Sequence, residues 1–154
     1  MAKSKSKIIP EKIHIEQINV IQCHINTGDS YLNNPIKWDN ISIGIKKEDA
    51  YNFVNKGCRF RLFFKCAAMM GNKEVDLDAE IGIEFHFKID NFEDFVTREG
   101  DHNKISMDLG ATLLAIAFST SRGIILEKTQ NTYFRGIILP VVDPVAVLLD
   151  EPNK

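Results

Sequence analysis

Residues 75–89 alternate apolar with charged or polar side chains more regularly than any other part of the chain. Side chains of a β-strand point alternately to its two faces, so the pattern predicts a long strand with one face on a core and the other in water. A register shift of one residue would place every charge inside, and the pattern therefore also specifies how this strand pairs. The apolar face comprises Val75, Leu77, Ala79, Ile81, Ile83, Phe85, Phe87 and Ile89.

Three earlier segments show the same alternation, at residues 13–25, 41–45 and 60–68. The phase of the first segment slips and then returns, which predicts β-bulges in a long strand. Gly71 and the two residues after it predict a hairpin between the third and fourth strands. The order of the strands stays open, because the long connection after the first strand is able to cross over the sheet.

Residues 105–128 predict a long helix with two apolar sides. One side is formed by Ile105, Leu109, Leu113 and Ile116. The nearly opposite side is formed by Met107, Leu114, Phe118 and Ile125. One sheet covers a single side, so we expect the second side to meet a copy of the chain or another apolar partner. A core helix buried in a monomer explains the pattern equally well.

Helix boundaries are indicated by capping residues. Asn103 is expected to cap the long helix, and Asp143 and Pro144 predict the N-cap and first residue of a short terminal helix that extends to Leu149. Four strands followed by a helix, a loop and a second helix predict an α+β fold with an antiparallel sheet. We expect one domain over residues 11–150, preceded by a disordered basic tail over residues 1–10.

Composition excludes several classes of protein. The net charge of −2, from 19 basic and 21 acidic side chains, gives no field that would attract nucleic acid or an anionic membrane. No window contains the about 20 apolar residues of a membrane-spanning helix, and no signal peptide follows the basic start. Three cysteines without a close-spaced pair disfavour disulfides and structural zinc, which favours a reducing cytoplasm.

No motif in the sequence requires an enzyme. His86, Glu84 and Lys88 share one strand face, but the alternation that brings them together also places every other charge there. Ser121 and its neighbours lack the context of a nucleophile, and no glycine-rich phosphate loop follows a strand. We therefore expect no catalytic residue, no metal ion and no cofactor.

Apolar residues in the connections have two explanations. They occur in the first long loop, with Tyr31 and Trp38, and again after the long helix, from Tyr133 to Val142. Such residues form a binding surface if exposed, and complete the core if buried. The sequence alone does not decide between these alternatives.

The helical half resembles the SecB family of bacterial export chaperones and their SecB-like relatives. The resemblance is based on Ser121, Arg122 and Gly123 near the end of the long helix, and on Pro140 in the loop before the short helix. The phase slip in the first strand and the loop that ends in Trp38 support it. The similarity extends from about Ile13 to Leu149.

The resemblance implies a dimer of dimers joined through the long helices, and a groove that binds unfolded or partly folded polypeptide without ATP. The groove would lie between the crossover loop and the second helix. On this chain the implied polypeptide-binding residues are Tyr31, Leu32, Ile36, Trp38, Tyr133, Phe134, Ile137, Leu139, Val141, Val142 and Leu148. Arg122 and Gly123 are implied to be structural.

The export chaperone docks on the translocase motor ATPase, and this sequence departs from the family pattern at the positions used for that docking. Gln22 and Asn26 stand where the export chaperone has acidic residues, and the chain ends soon after Leu149. An alternative acidic docking face is formed by Asp76, Asp78, Glu80 and Glu84. An oligomeric adaptor for one partner, such as an antitoxin or a mobile-element protein, is the alternative to a general chaperone.

Overall fold

The computed structural model describes residues 6–149 and has the expected α+β fold. Its main sheet is antiparallel and four-stranded. The strands are β1 (Ile13–Thr27), β2 (Asn40–Asn52), β3 (Gly57–Met70) and β4 (Lys73–Ile89). Three helices follow the strands or connect them, namely α1 (Asp29–Asn33), α2 (Met107–Thr129) and α3 (Pro144–Leu149).

The strand order is β1-β4-β3-β2, so β1 and β2 are the two edges of the sheet. The connection between them, which contains α1, crosses over one end of the sheet. The backbone N–H of Gly28 donates to the carbonyl of Asp76 at 2.8 Å and fixes the start of this crossover on β4. A Cβ at Gly28 would meet the Asp76 carboxylate, so no larger residue fits there without rearrangement.

The bulges predicted in the first strand are confirmed. The pairing of β1 with β4 shifts register between Ile15 and Gln17 and again between Val20 and Gln22. Each shift leaves one extra residue on β1 and restores the apolar residues to the inner face of the sheet, where Ile18 is opposite Phe85.

The predicted extent of the second strand is wrong. β2 is not limited to residues 41–45 but continues to Asn52, because residues 46–52 pair with β3 along their whole length. The charged connection after β4 forms a 3-10 turn, Phe92–Phe95, and a small hairpin of β5 (Val96–Glu99) and β6 (His102–Ile105).

Of the two predicted helix N-caps, that of α2 is wrong and that of α3 is confirmed. Asn103 lies in β6, and Ser106 caps α2 by accepting the backbone N–H of Leu109 at 3.3 Å. The predicted cap of the terminal helix is confirmed, because the Asp143 carboxylate accepts the N–H of Val145 at 3.0 Å and Pro144 is the first helical residue.

The structure describes only residues 6–10 of the predicted tail. Lys3 and Lys5 lie outside the described residues, as does Asp150 at the other end. Within the described part, the Ser6 hydroxyl donates to the carbonyl of Asp94 at 2.7 Å, and Ile8 packs against the core.

α2 packs on the inner face of the sheet through residues from both of its predicted sides. Leu114, Phe118 and Ile125, which were expected on an oligomer interface, are at most 5% exposed and lie inside the subunit. The ring of Phe118 is 5.8 Å from that of Phe64. The buried stripe extends over about half of the helix circumference, because α3 and the segment before it cover part of α2 beside the sheet: Leu148 lies next to Gly110, and Val142 and Val147 lie across a small cavity from Leu114. Met107 is the one predicted interface residue that is exposed.

α2 is also long and apolar enough to cross a membrane by length and composition, contrary to the expectation from the sequence. A core helix of a globular protein meets the same two criteria. A little under half of its most apolar window is buried in the subunit.

The position of Phe118 generates a stability prediction. We expect Phe118→Ala to lower the free energy of unfolding by about 3–5 kcal/mol, because it removes a buried ring from the helix–sheet contact. Ser119→Ala, on the exposed side of the same helix turn, is the matched control and should change it by less than about 0.5 kcal/mol. Urea unfolding of both variants measures the difference, and equal stabilities would contradict the placement of Phe118.

Candidate functional site

An open groove lies where the crossover connection meets the segment that follows α2. Its volume is about 660 Å³. One wall is formed by Tyr31, Pro35, Ile36, Lys37 and Trp38, and the other by Tyr133, Phe134, Arg135 and Gly136. Segments far apart in sequence therefore form one concave surface, which combines aromatic and cationic side chains and is about equally polar and apolar.

Aromatic contacts join the two walls. The rings of Tyr31 and Tyr133 meet edge to face at 5.4 Å, and those of Trp38 and Phe134 lie 6.3 Å apart. The indole N–H of Trp38 donates to the backbone carbonyl of Tyr133 at 3.3 Å. Tyr31 and Phe134 are buried, whereas Tyr133 is 50% exposed and therefore accessible to a ligand.

A buried threonine fixes the second wall. The Thr129 hydroxyl donates to the carbonyl of Ile125 and accepts the N–H of Ile137, both at 2.7 Å. The backbone carbonyl of Thr129 also accepts the N–H of Gly136 at 3.0 Å. These bonds end α2 and turn the chain sharply back. Sequence reasoning missed Thr129, because its only signal is its position near the end of the helix pattern.

The predicted polypeptide-binding residues fall in different places. Five of them line the groove, namely Tyr31, Ile36, Trp38, Tyr133 and Phe134. Ile137 and Leu139 are fully buried and complete the core, since the turn after Thr129 directs them inward. Leu32 is exposed on α1.

The remaining predicted residues lie near α3. Val141 and Val142 border a separate cavity of about 220 Å³ beneath α3, and Val141 is 83% exposed. Leu148 packs beside Gly110 of α2. The structure thus divides the single expected groove into two surfaces.

The residues on which the family resemblance is based differ in burial. Ser121 is buried and donates to the carbonyl of Ala117 at 2.8 Å. Arg122 lines the cavity beneath α3, and its Nε is buried without a hydrogen-bond partner among residues 6–149. Gly123 and Pro140 are exposed.

The predicted acidic face lies on the side of the sheet opposite α2, and its carboxylates have partners there. Asp76 accepts from the Ser30 hydroxyl at 2.6 Å. Asp78 accepts from the Asn26 amide at 3.0 Å, and Glu80 from the Gln22 amide at 3.2 Å. The two amides that replace acidic residues of the family pattern therefore bind the carboxylates of β4.

Glu84 is the buried member of that face and belongs to a structural network. Its carboxylate accepts from His86 Nε2 at 2.7 Å and from Arg61 Nε at 2.6 Å. The hydrogen bond from His86, followed by that from Arg61, lowers the pKa of Glu84 to about 2. A general acid or base at neutral pH needs a pKa near 7, so this geometry does not favour acid–base catalysis.

Metal and thiol chemistry find little support in the described part of the chain. Among residues 6–149, no three His, Cys, Asp or Glu side chains are placed to hold a metal ion. Burial raises the pKa of Cys58 to about 12 and that of Cys66 to about 11, so both thiols are protonated at neutral pH. Cys23 is exposed on β1.

No family model and no curated protein match the chain. Among solved structures, it resembles the SecB-like chaperone of Mycobacterium tuberculosis in complex with a ChAD peptide from the HigA1 antitoxin. The TM-score is 0.60 and the identity 9%, over 86% of this chain and 92% of that one. A protein of unknown function from Streptococcus agalactiae has a TM-score of 0.39 and 16% identity, over 84% and 97% of the two chains. The first likeness shows that this chain shares the SecB-like fold.

The Glu84 network generates a pH-dependent prediction. Its lowered pKa means that ionised Glu84 stabilises the fold above about pH 4.5, and that this contribution is lost as the pH falls towards about 2. We expect Glu84→Gln to be less stable than the wild type at pH 7, with the difference shrinking between pH 4.5 and 2. Glu74→Gln, an exposed position on the same strand, is the control. A stability difference that stays constant over this pH range in urea unfolding would contradict the network.

Proposed function

We propose that this protein is an ATP-independent chaperone of the holdase type, which binds apolar segments of unfolded or partly folded polypeptide. The observation that supports this most is the open groove, with half-exposed Tyr133 on one wall and Trp38 on the other. Its volume of about 660 Å³ lies within the range of ligand pockets, about 300–1,000 Å³.

The chemistry of the groove suits a tolerant binder. Fully burying one apolar side chain of a client gains about 1.5–3 kcal/mol. Aromatic walls provide this gain without demanding one hydrogen-bond pattern, so different segments are able to occupy the same groove. No ATP-driven step is needed for such binding, because apolar contact supplies the free energy.

A second candidate is an adaptor that holds a segment of one specific partner, such as an antitoxin. It is supported by the similar fold of the mycobacterial chaperone, which was solved with an antitoxin peptide. A general holdase and an adaptor use the same groove and differ in selectivity. For a role in protein export, Asp76, Asp78 and Glu80 offer a docking face for a motor ATPase, which would have to exchange the hydrogen bonds that these carboxylates already make.

We further propose that the protein acts in the cytoplasm as a homo-oligomer, a dimer of dimers. The inner face of β1 is left uncovered by α2, and Ile15, Ile18 and Val20 are each at least 40% exposed. β1 is also an unpaired edge, and an exposed apolar edge strand tends to pair with another chain. The other edge, β2, has charged residues 46–49 that oppose such pairing. A second copy on β1 would cover this face and bring several grooves together, so that weak contacts add by avidity.

The groove generates a functional prediction. We expect the protein, without ATP, to slow aggregation of a denatured client at micromolar concentration. Tyr133→Ser should weaken client binding roughly tenfold, because about half of the contact area of an aromatic side chain is lost. Val54→Ser, at an exposed apolar site on the β2–β3 turn, should leave binding unchanged. Failure of the wild type both to slow aggregation and to bind unfolded chains would refute the proposal.

The uncovered face of β1 generates a prediction about assembly. Ile18→Lys places a charge on that face, and we expect it to reduce the oligomer to smaller species while the subunit stays folded. Gln17→Lys places the same charge on the opposite face of the strand and should leave the assembly intact. Light scattering measures the mass. A wild-type protein with the mass of one subunit, or an unchanged mass for Ile18→Lys, would contradict the proposed interface.

A further inference from the structure

Two cations border the groove, one on each wall. Lys37 precedes Trp38 on the first wall, and Arg135 follows Phe134 on the second. Both residues are exposed, and neither forms an ion pair or a side-chain hydrogen bond within residues 6–149. Their charges are therefore available to a ligand in the groove.

Carboxylates are missing from the same place. None of the residues that line the groove, within residues 6–149, is acidic. The nearest acid in the sequence, Asp39, is engaged elsewhere, since its Oδ1 accepts the N–H of Gly71 at 3.2 Å and its own N–H donates to the carbonyl of Met69. The rim of the groove is locally cationic, although the chain as a whole has a net charge of −2.

The backbone holds Arg135 in an uncommon conformation. Its φ is +55°, in the left-handed region that few residues other than glycine adopt. The N–H of Arg135 donates to the carbonyl of Thr132 at 2.9 Å, and the following Gly136 is bonded to Thr129. The turn after α2 thus places a cation at the second wall through backbone contacts that are independent of any ligand.

From this arrangement we infer that the groove selects apolar polypeptide segments that are flanked by acidic residues, and that Lys37 and Arg135 determine this preference. The inference rests on the proposed function and specifies its client. The apolar part of the segment contacts Ile36, Trp38 and Tyr133, and carboxylates on either side of it pair with the two cations. Because exposed pairs are weak and screened by salt, the preference should be roughly three- to tenfold at low ionic strength.

Aromatic walls with cations also suit single-stranded nucleic acid, in which bases stack and phosphates pair. The groove favours polypeptide, because Tyr31 and Phe134 are buried and offer no free ring face for stacking. Only two cations line it, and the net negative charge of the chain opposes a phosphate backbone. An oligonucleotide is therefore the appropriate competitor.

Fluorescence anisotropy with three labelled peptides tests the inference on the full chain. The peptides share one apolar core and have flanks of glutamate, glutamine or lysine. We expect the glutamate-flanked peptide to bind the wild type three- to tenfold more tightly than the lysine-flanked one, with the difference removed by high salt. The double variant Lys37→Gln/Arg135→Gln should bind all three peptides alike, with the affinity that the wild type has for the glutamine-flanked peptide.

The control variant is Arg98→Gln/Lys104→Gln, which removes the same charge from the β5–β6 hairpin. The hairpin precedes α2 and the groove follows it, so about 35 Å of helix separates the two places. This variant should keep the wild-type preference.

Equal binding of the three peptides, a preference for lysine flanks, or a preference that survives in the double variant would overturn the inference alone. Displacement of the glutamate-flanked peptide by a single-stranded oligonucleotide as effectively as by unlabelled peptide would also overturn it. If none of the three peptides binds, the proposed function fails and the inference fails with it.

Discussion

The packing of α2 on the inner face of β3 and β4 is the contact on which the rest of the structure depends. The inner face of β4 is at most 8% exposed along its length, and the rings of Phe64 and Phe118 meet across the interface. Two consequences follow from where α2 lies. The segment that follows its last residue meets the crossover connection, and the groove forms between the two. α2 also leaves β1 uncovered, although the apolar residues of β1 face the same side of the sheet.

Local patterns predicted local structure well and tertiary placement poorly. Alternation in β4 and the phase slips in β1 depend only on which face each side chain takes, and both were confirmed. The cap at Asp143 depends on adjacent residues and was also correct. Helical periodicity gives the angle between two side chains of α2 but not the width of the surface that it meets, and for this reason Leu114 and Phe118 were assigned to the wrong surface. The small β5–β6 hairpin has too few residues to show a period at all.

Because local patterns do not give tertiary placement, the sequence predicted only part of the groove. Tyr31, Trp38 and Tyr133 were recognised as apolar residues in connections, and they do lie together. Ile137 and Leu139 have the same composition but are buried, because a buried hydroxyl at Thr129 decides the path of the chain after α2. Arg135 was overlooked, since an exposed arginine in a loop has no pattern that distinguishes it from others. Composition therefore identifies candidates, and the turn geometry selects among them.

Trp38 is the only tryptophan of the chain and lies in the groove wall, so its fluorescence tests the central claim most directly. Titration with an unfolded client that lacks tryptophan should shift its emission in a saturable way, over the same client concentrations at which a label on the client reports binding. Binding of the client with no change in Trp38 emission would contradict the account, because the polypeptide would then occupy some other surface.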